Sequence, residues 1–172
     1  MILEGVRMVE CYACVFDGAN VRCWGWEFNG QATVPNLKNP RQVTTGLYHS
    51  CALADNGVKC WGADTLGQTE VPTLSNPKFV ASGLGNHNCA LDDSGVVCWG
   101  DSRRGQAQSL ALVRTRDISV GYEHACALDD SAVHCWGSND QGQLEAPPLD
   151  QRSEEHTSEL QSPCNLVCRL LL

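Results

Sequence analysis

The chain has 172 residues, 42% of them hydrophobic and 19% charged, which is enough apolar material for one packed domain. Its net charge of −8 argues against a grip on nucleic-acid phosphates, so no nucleic-acid partner is expected. Apolar runs of about 18 residues are missing, which predicts no membrane span, and the opening MILEGVRMVE lacks the pattern of a signal peptide.

Four similar segments follow one another along the chain. They read CVFDGANVRCWG from Cys14, CALADNGVKCWG from Cys51, CALDDSGVVCWG from Cys89 and CALDDSAVHCWG from Cys126. The first cysteine recurs after 37, 38 and 37 residues, and each Trp-Gly leads to a Gly-Gln. This self-similarity predicts a repeat protein over residues 1–151, with units that start near Val6, Arg41, Lys78 and Thr115.

Each unit has the pattern of short β-strands. Runs such as RQVTT, SCAL and VKCWG are bounded by Gly, Pro, Asn and Asp, and no helical period is evident. The turn signals DNG at residues 55–57 and DSG at residues 93–95 predict a hairpin between the two cysteines of a unit. Ala132 occupies the glycine position in the last unit, so we expect that turn to be strained or of another type. Four short strands per unit predict an all-β chain of about four β-propeller blades, a partial ring.

The repeated cysteines form four pairs with eight residues between partners. A hairpin brings such partners opposite each other, which favours disulfides over reduced core thiols or metal ligands, since zinc sites usually use closer pairs. One such bond is worth about 2.5 kcal/mol in the chain-entropy model. Persistent disulfides imply a secreted, periplasmic or surface protein. The expected bonded residues are Cys14, Cys23, Cys51, Cys60, Cys89, Cys98, Cys126 and Cys135.

Other residues recur at fixed positions. The tryptophans of the four Trp-Gly pairs, at 24, 61, 99 and 136, are expected to pack between blades, whereas Trp26 lies outside this position and is a candidate for surface recognition. His49, His87 and His124 precede a cysteine by two residues, where a structural hydrogen bond inside each blade is favoured over a metal site; Tyr12 takes this position in the first unit.

No constellation for chemistry emerges from the remaining residues. The paired aspartates at 92–93 and 129–130 fall in turns and are expected at solvent-facing hairpin tips. Cys11 has no counterpart in the other units and is either free or bonded to a partner outside the pattern. The sequence thus predicts no catalytic residues, no cofactor and no metal, and no enzyme activity.

The pattern G-x-x-H-x-C-A-L…D-x-G-V-x-C-W-G…G-Q resembles the regulator of chromosome condensation repeat, over roughly residues 6–150. The short form with GQATVP and GQTEVP is similar to compact bacterial members of the type of β-lactamase inhibitor protein II. The resemblance implies a propeller that usually closes with seven blades. About four units therefore imply a fragment that exposes apolar blade faces and associates on its own.

The last segment, residues 152–172, breaks the repeat. RSEEHTSELQSPCNLVCRLLL resembles a frame translation of a common sequencing-library adapter. We therefore interpret it as a non-native tail, disordered or a short helix, in which Cys164 and Cys168 have no function.

The function predicted from these features is a non-catalytic, secreted or surface module that binds a protein or a glycan. An inhibitor of the β-lactamase inhibitor type is the alternative, and a small-GTPase exchange factor or chromatin-binding protein is disfavoured by the charge and the cysteines. The expected contact residues are those of the loops after each Trp-Gly, because these vary between units. They are Trp26, Glu27, Phe28, Asp64, Thr65, Leu66, Ser102, Arg103, Arg104, Asn139, Asp140 and Gln141.

Overall fold

The computed structural model describes residues 12–147, which form β-strands joined by turns and loops. Cys11 and the segment 152–172 lie outside the described residues, so the predictions made for them stay predictions. Within residues 12–147 there is no helix, and hence none that could cross a membrane. The strands are β1 (Tyr12–Phe16), β2 (Val21–Gly25), β3 (Gln42–Thr45), β4 (His49–Ala54), β5 (Gly57–Gly62), β6 (Phe79–Ser82), β7 (His87–Asp92), β8 (Gly95–Gly100), β9 (Asp117–Val120), β10 (His124–Leu128) and β11 (Val133–Gly137).

The strands form four antiparallel sheets, one for each sequence unit, which we number as blades 1 to 4. Blade 1 contains β1 and β2; blades 2, 3 and 4 contain β3-β4-β5, β6-β7-β8 and β9-β10-β11, each in chain order. The expected all-β propeller fragment is confirmed. The expectation of four strands per unit is wrong for blades 2 to 4, which have three each.

The missing fourth strand has a local cause in the segment that follows Gly-Gln. In blade 3, Leu110 of this segment pairs with Val96, exchanging hydrogen bonds of 2.8 and 2.9 Å between the two main chains. The corresponding residues of the first two units are Pro35 and Pro72, which have no N–H to donate to such a ladder. Proline therefore turns a potential edge strand into a loop, and leucine restores a single bridge.

Two of the hairpins turn on glycine. In blades 2 and 3 the strand pairing extends to Ala54 with Gly57 and to Asp92 with Gly95. These glycines have φ of +92° and +123°, a conformation that costs other residues free energy. The hairpin signals read from the sequence are thus confirmed at both turns.

The hairpins of blades 1 and 4 lack this glycine and turn differently, as expected for Ala132. Pairing stops one residue earlier, at Leu128 with Val133, and the Asp129 carboxylate accepts hydrogen bonds from the main-chain N–H groups of Ser131 and Ala132 at 2.7 and 2.8 Å. These bonds and that of the Ser131 hydroxyl hold the pKa of Asp129 far below its usual value. In blade 1 the Asp17 carboxylate accepts the corresponding N–H groups of Ala19 and Asn20 at 3.0 and 2.8 Å.

Each of the four cysteine pairs bridges the two strands of its own hairpin. The partners lie directly opposite in register, with Cα atoms 4.0–4.1 Å apart and Sγ atoms 2.03–2.12 Å apart. Cys51 and Cys89 are fully buried. The bonded pairs are the ones that the spacing predicted: Cys14–Cys23, Cys51–Cys60, Cys89–Cys98 and Cys126–Cys135.

The hydrophobic core lies between blades and not within them. Each of three buried clusters combines side chains of two successive blades, so no blade buries its apolar face alone. The buried members are Val21 with Ala52 and Trp61; Cys51, Leu53 and Val58 with Val80, Ala90 and Trp99; and Cys89, Val96 and Cys98 with Ile118, Val120, Ala125, Ala127 and Trp136.

The repeated tryptophans seal these interfaces, which confirms their predicted packing. The indole N–H groups of Trp61, Trp99 and Trp136 donate to the carbonyl oxygen of the glutamine in the preceding unit's Gly-Gln, at 2.9, 3.2 and 3.1 Å. These three side chains are 6–8% exposed, whereas Trp24 in blade 1 is 56% exposed. The exposed fraction of this ring therefore reports whether a neighbouring Gly-Gln covers it.

The repeated position also makes contacts between blades, and for His49 this corrects the expectation of a bond inside its own blade. His49 Nε2 lies 2.7 Å from the Asn88 side-chain oxygen in the next blade, and Tyr12, in the same position of blade 1, donates to the carbonyl oxygen of His49. A Cβ on Gly46 would overlap the His49 ring, which explains the glycine three residues before it. The side chains of Tyr12 and His49 leave their strands on the face toward the next blade, and they therefore bond to residues of that blade.

Candidate binding surface

The variable segments lie together because each follows the last strand of its blade, β2, β5, β8 or β11. We call this surface, at residues 26–31, 63–68, 101–106 and 138–143, the loop rim. The hairpin tips lie at the opposite ends of the same strands. Some side chains of this surface form hydrogen bonds to the main chain of their own loop, and others are exposed to solvent.

The first set is an internal brace made by the glutamine of Gly-Gln. Its side-chain oxygen accepts the main-chain N–H two residues earlier in all four loops, at 2.7–2.8 Å. Gln31, Gln68 and Gln106 are 0–1% exposed, and their carbonyl oxygens accept the tryptophan bonds described above. One residue type therefore fixes the loop and ties it to the next blade.

A second brace comes from residues that the sequence placed among the binding candidates. The Asp64 carboxylate accepts the N–H of Thr69 at 2.8 Å, and the Asn139 amide oxygen accepts that of Leu144 at 2.9 Å. Glu27 does the same for Ala32 at 2.7 Å and also accepts the Thr33 hydroxyl. These residues hold the loops, and the amide of Asn139 shows that no charge is needed for this task.

In blade 1 the outer side chains form an aromatic platform of Trp26, Phe28 and Tyr48. The Trp26 and Phe28 rings stack with centroids 5.8 Å apart and planes 9° apart, and Tyr48 of blade 2 tilts against Trp26 at 5.5 Å. Phe28 is 80% exposed, while Trp26 is half-buried. An exposed stack of this size is unusual outside a contact surface.

In blade 3 the same two positions hold an ion pair. The Arg103 guanidinium donates two hydrogen bonds, of 2.9 and 2.7 Å, to the Asp101 carboxylate. These bonds hold the pKa of Asp101 below its usual value despite its burial. Arg104 reaches toward blade 4 and pairs with Asp140 at 3.1 Å and with Glu123 at 4.0 Å. Both arginines of the loop rim are therefore neutralised within the protein.

The structure places ten of the twelve predicted contact residues in solvent; Trp26 and Leu66 are half-buried. The sequence reasoning missed Tyr48, which belongs to a different segment, and the buried glutamines. The glutamines carried a signal, since they recur in every unit, whereas Tyr48 carried none: its position holds Asn86 and Glu123 in later units. Within residues 12–147 no three His, Cys, Asp or Glu side chains are grouped to hold a metal ion.

Comparison with known proteins identifies the class to which these blades belong. The model of the regulator of chromosome condensation (RCC1) repeat matches residues 41–68, 78–106 and 116–143, the units of blades 2, 3 and 4. The chain thus belongs to the RCC1 repeat family and forms disulfide-bonded propeller blades. A comparison with curated proteins finds no match. The similarity to compact bacterial inhibitors stays a prediction.

Solved structures show the same fold. The CRINKLY WD40 ectodomain of the Arabidopsis thaliana receptor kinase ACR4 is 25% identical, with a TM-score of 0.57 over 73% of this chain and 46% of that one. Prp20p from Saccharomyces cerevisiae is 19% identical, with a TM-score of 0.64 over 78% and 43%. Human WBSCR16 is 20% identical, with a TM-score of 0.61 over 77% and 47%. The chain spans less than half the length of each, and its four disulfides fit an extracellular protein like the first.

Proposed function

We propose that this chain is part of a secreted or surface-displayed, non-catalytic module that binds a protein partner through its loop rim. The observation that carries the proposal is the division of labour in the loops. The glutamine side chain makes the same main-chain hydrogen bond in all four loops, while the outermost side chains change from an aromatic stack in blade 1 to an ion pair in blade 3. Such a rigid frame with variable tips is how propellers and other scaffolds present recognition loops.

The neighbours support a protein partner. Prp20p from Saccharomyces cerevisiae has binding properties to Gsp1p and histones, and yeast RCC1 (Prp20) has been crystallised with Kap60. The disulfides and the plant ectodomain support an extracellular setting for this chain. No reaction chemistry is required by any of these features.

The test is capture of binding proteins from extracellular fractions with the full chain, expressed in an oxidising compartment. Phe28→Ala in the aromatic platform and the double charge reversal Arg103→Glu/Arg104→Glu are expected to weaken capture without lowering the thermal midpoint by more than a few degrees. The matched control is Asp55→Asn at a hairpin tip, which should capture as well as the unmodified chain. Capture that responds only to the tip variant would overturn the proposal.

A further inference from the structure

We propose, resting on the function just proposed, that the platform of Trp26, Phe28 and Tyr48 together with Glu27 and Asp64 binds an arginine side chain presented by the partner protein. The platform offers an aromatic face, and the two carboxylates offer the charge that a guanidinium seeks. Each of these features is present in this part of the loop rim and absent from blade 3.

The aromatic face comes from the stack itself. Trp26 covers one face of the Phe28 ring with nearly parallel planes, and because Phe28 is 80% exposed its other face is open to solvent. Planar guanidinium groups stack on aromatic faces, and cations are attracted to the ring quadrupole. Tyr48 closes the platform from the side of blade 2.

Two carboxylates lie next to this platform along the chain. Glu27 is the residue between Trp26 and Phe28, and Asp64 follows Ala63, whose N–H donates to the carbonyl oxygen of Tyr48 at 2.8 Å. Neither carboxylate forms an ion pair with any residue in the described part of the chain, 12–147. Each still has lone pairs beyond those used by the loop braces.

The negative charge exceeds what the fold requires. Asn139 braces its loop with a neutral amide in the position that Glu27 and Asp64 occupy, at nearly the same distance. In blade 3 the equivalent region carries arginines, and these are already paired with acidic side chains. The negative charges of Glu27 and Asp64 are therefore not paired with a cation of the described residues 12–147, and they can attract a cation from a partner.

The experiment uses the full chain and the peptide acetyl-Gly-Arg-Gly-Arg-Gly-amide as probe, with binding followed by titration calorimetry or chemical-shift changes at low ionic strength. A second peptide with citrulline in place of arginine keeps the shape and removes the charge. We expect measurable binding of the arginine peptide, at least about 10-fold weaker binding of the citrulline peptide, and weakening of about 3- to 10-fold on Phe28→Ala.

The charge is tested separately from the aromatic face. The double variant Glu27→Gln/Asp64→Asn keeps one acceptor oxygen for each main-chain brace, and the new amide of residue 27 can donate to the Thr33 hydroxyl. It should weaken binding of the arginine peptide by a similar factor and change the thermal midpoint by no more than a few degrees. Asp55→Asn removes one charge from the far end of blade 2 and should leave binding unchanged.

Three results would overturn the inference: no binding of the arginine peptide, equal binding of the citrulline peptide, or binding that the loop variants leave intact and Asp55→Asn reduces, which indicates a diffuse acidic surface. A partner protein captured through Arg103 and Arg104 but insensitive to Phe28→Ala would refute this inference while the proposed function stands. If every loop-rim variant keeps both protein capture and peptide binding, the proposed function and this inference are both refuted.

Discussion

The loops of blades 1 and 3 share the hydrogen bond made by the Gly-Gln side chain and differ in their outer side chains. In both, the Gly-Gln side chain accepts a main-chain N–H, from Asn29 at 2.8 Å and from Arg104 at 2.7 Å. On the outside, one loop stacks Trp26 on Phe28 and the other pairs Asp101 with Arg103 at the same two positions. The comparison teaches that backbone order in this repeat comes from buried amides, which leaves the tips free to change chemistry.

The largest expected effect falls on what both blades share, the disulfides. The double variant Cys89→Ala/Cys98→Ala should lower the free energy of unfolding by about 2.5 kcal/mol, because the open hairpin has more conformational freedom when unfolded. Urea unfolding measures this loss. Non-reducing peptide mapping should find Cys51 linked to Cys60 and Cys89 to Cys98; free thiols at these positions, or links between units, would contradict the pairing.

A second difference between the blades is sensitivity to acid. Burial lowers the pKa of His87 to about 4 from 6.5, with smaller opposing contributions from the His124 main chain and Asp101, and it also lowers the pKa of His49 and His124. The folded protein therefore binds fewer protons than the unfolded chain in this range. Stability contributed by neutral His87 should be complete above about pH 6.5 and fall by about 2 kcal/mol as the pH decreases to about 5.

Unfolding midpoints in urea between pH 7 and 4 would measure this loss, with His87→Gln as the variant whose pH dependence should be weaker. The joint between blades 1 and 2 has Tyr12 in the same position, and a phenol gains no proton in this range. If the unfolding midpoints of the variant and the unmodified chain depend on pH equally, protonation of His87 is not the cause of the loss of stability in acid.

The comparison of buried brace and exposed tip is sharpened by paired substitutions within one loop. Gln106→Ala should cost about 2 kcal/mol, since it leaves the N–H of Arg104 without its partner and opens space in a fully buried site. Arg104→Ala in the same loop should cost less than about 0.5 kcal/mol, because its side chain and that of its partner Asp140 are 51% and 60% exposed. Thermal or urea unfolding measures both substitutions. If they lower the free energy of unfolding equally, the buried glutamine is no more important for stability than the exposed arginine.

The smallest expected effect separates the two kinds of tip. Raising the salt concentration from about 0.05 to about 0.5 M screens exposed charges and should erase the small stability difference between Arg104→Ala and the unmodified chain. The corresponding difference for Phe28→Ala should persist, because ring stacking is not screened. If the stability difference between Phe28→Ala and the unmodified chain decreases with salt, then charges and not ring stacking stabilise that loop.

Much of the architecture was readable in the sequence because it depends on local spacing. The glycine turns and the hairpin pairs Cys51–Cys60 and Cys89–Cys98 involve residues within ten positions of one another, and the repeat itself is visible as a period of the cysteines. The change of turn at Ala132 was also foreseen, since only glycine and a few polar residues adopt the required conformation cheaply. The number of strands per blade was not, because one proline or leucine after Gly-Gln decides it.

Contacts between units could not be predicted from the sequence in this way. The direction of His49 toward Asn88, the meeting of Tyr48 with Trp26 and the pairing of Arg104 with Asp140 join residues 22 to 39 positions apart whose neighbours differ from blade to blade. The sequence by itself determined the repeat, the hairpins and the positions of the variable loops, since these follow from backbone conformation and short-range register. Only the tertiary structure decided which side chains meet, because blades bury their faces against one another and that packing selects the partners across each joint.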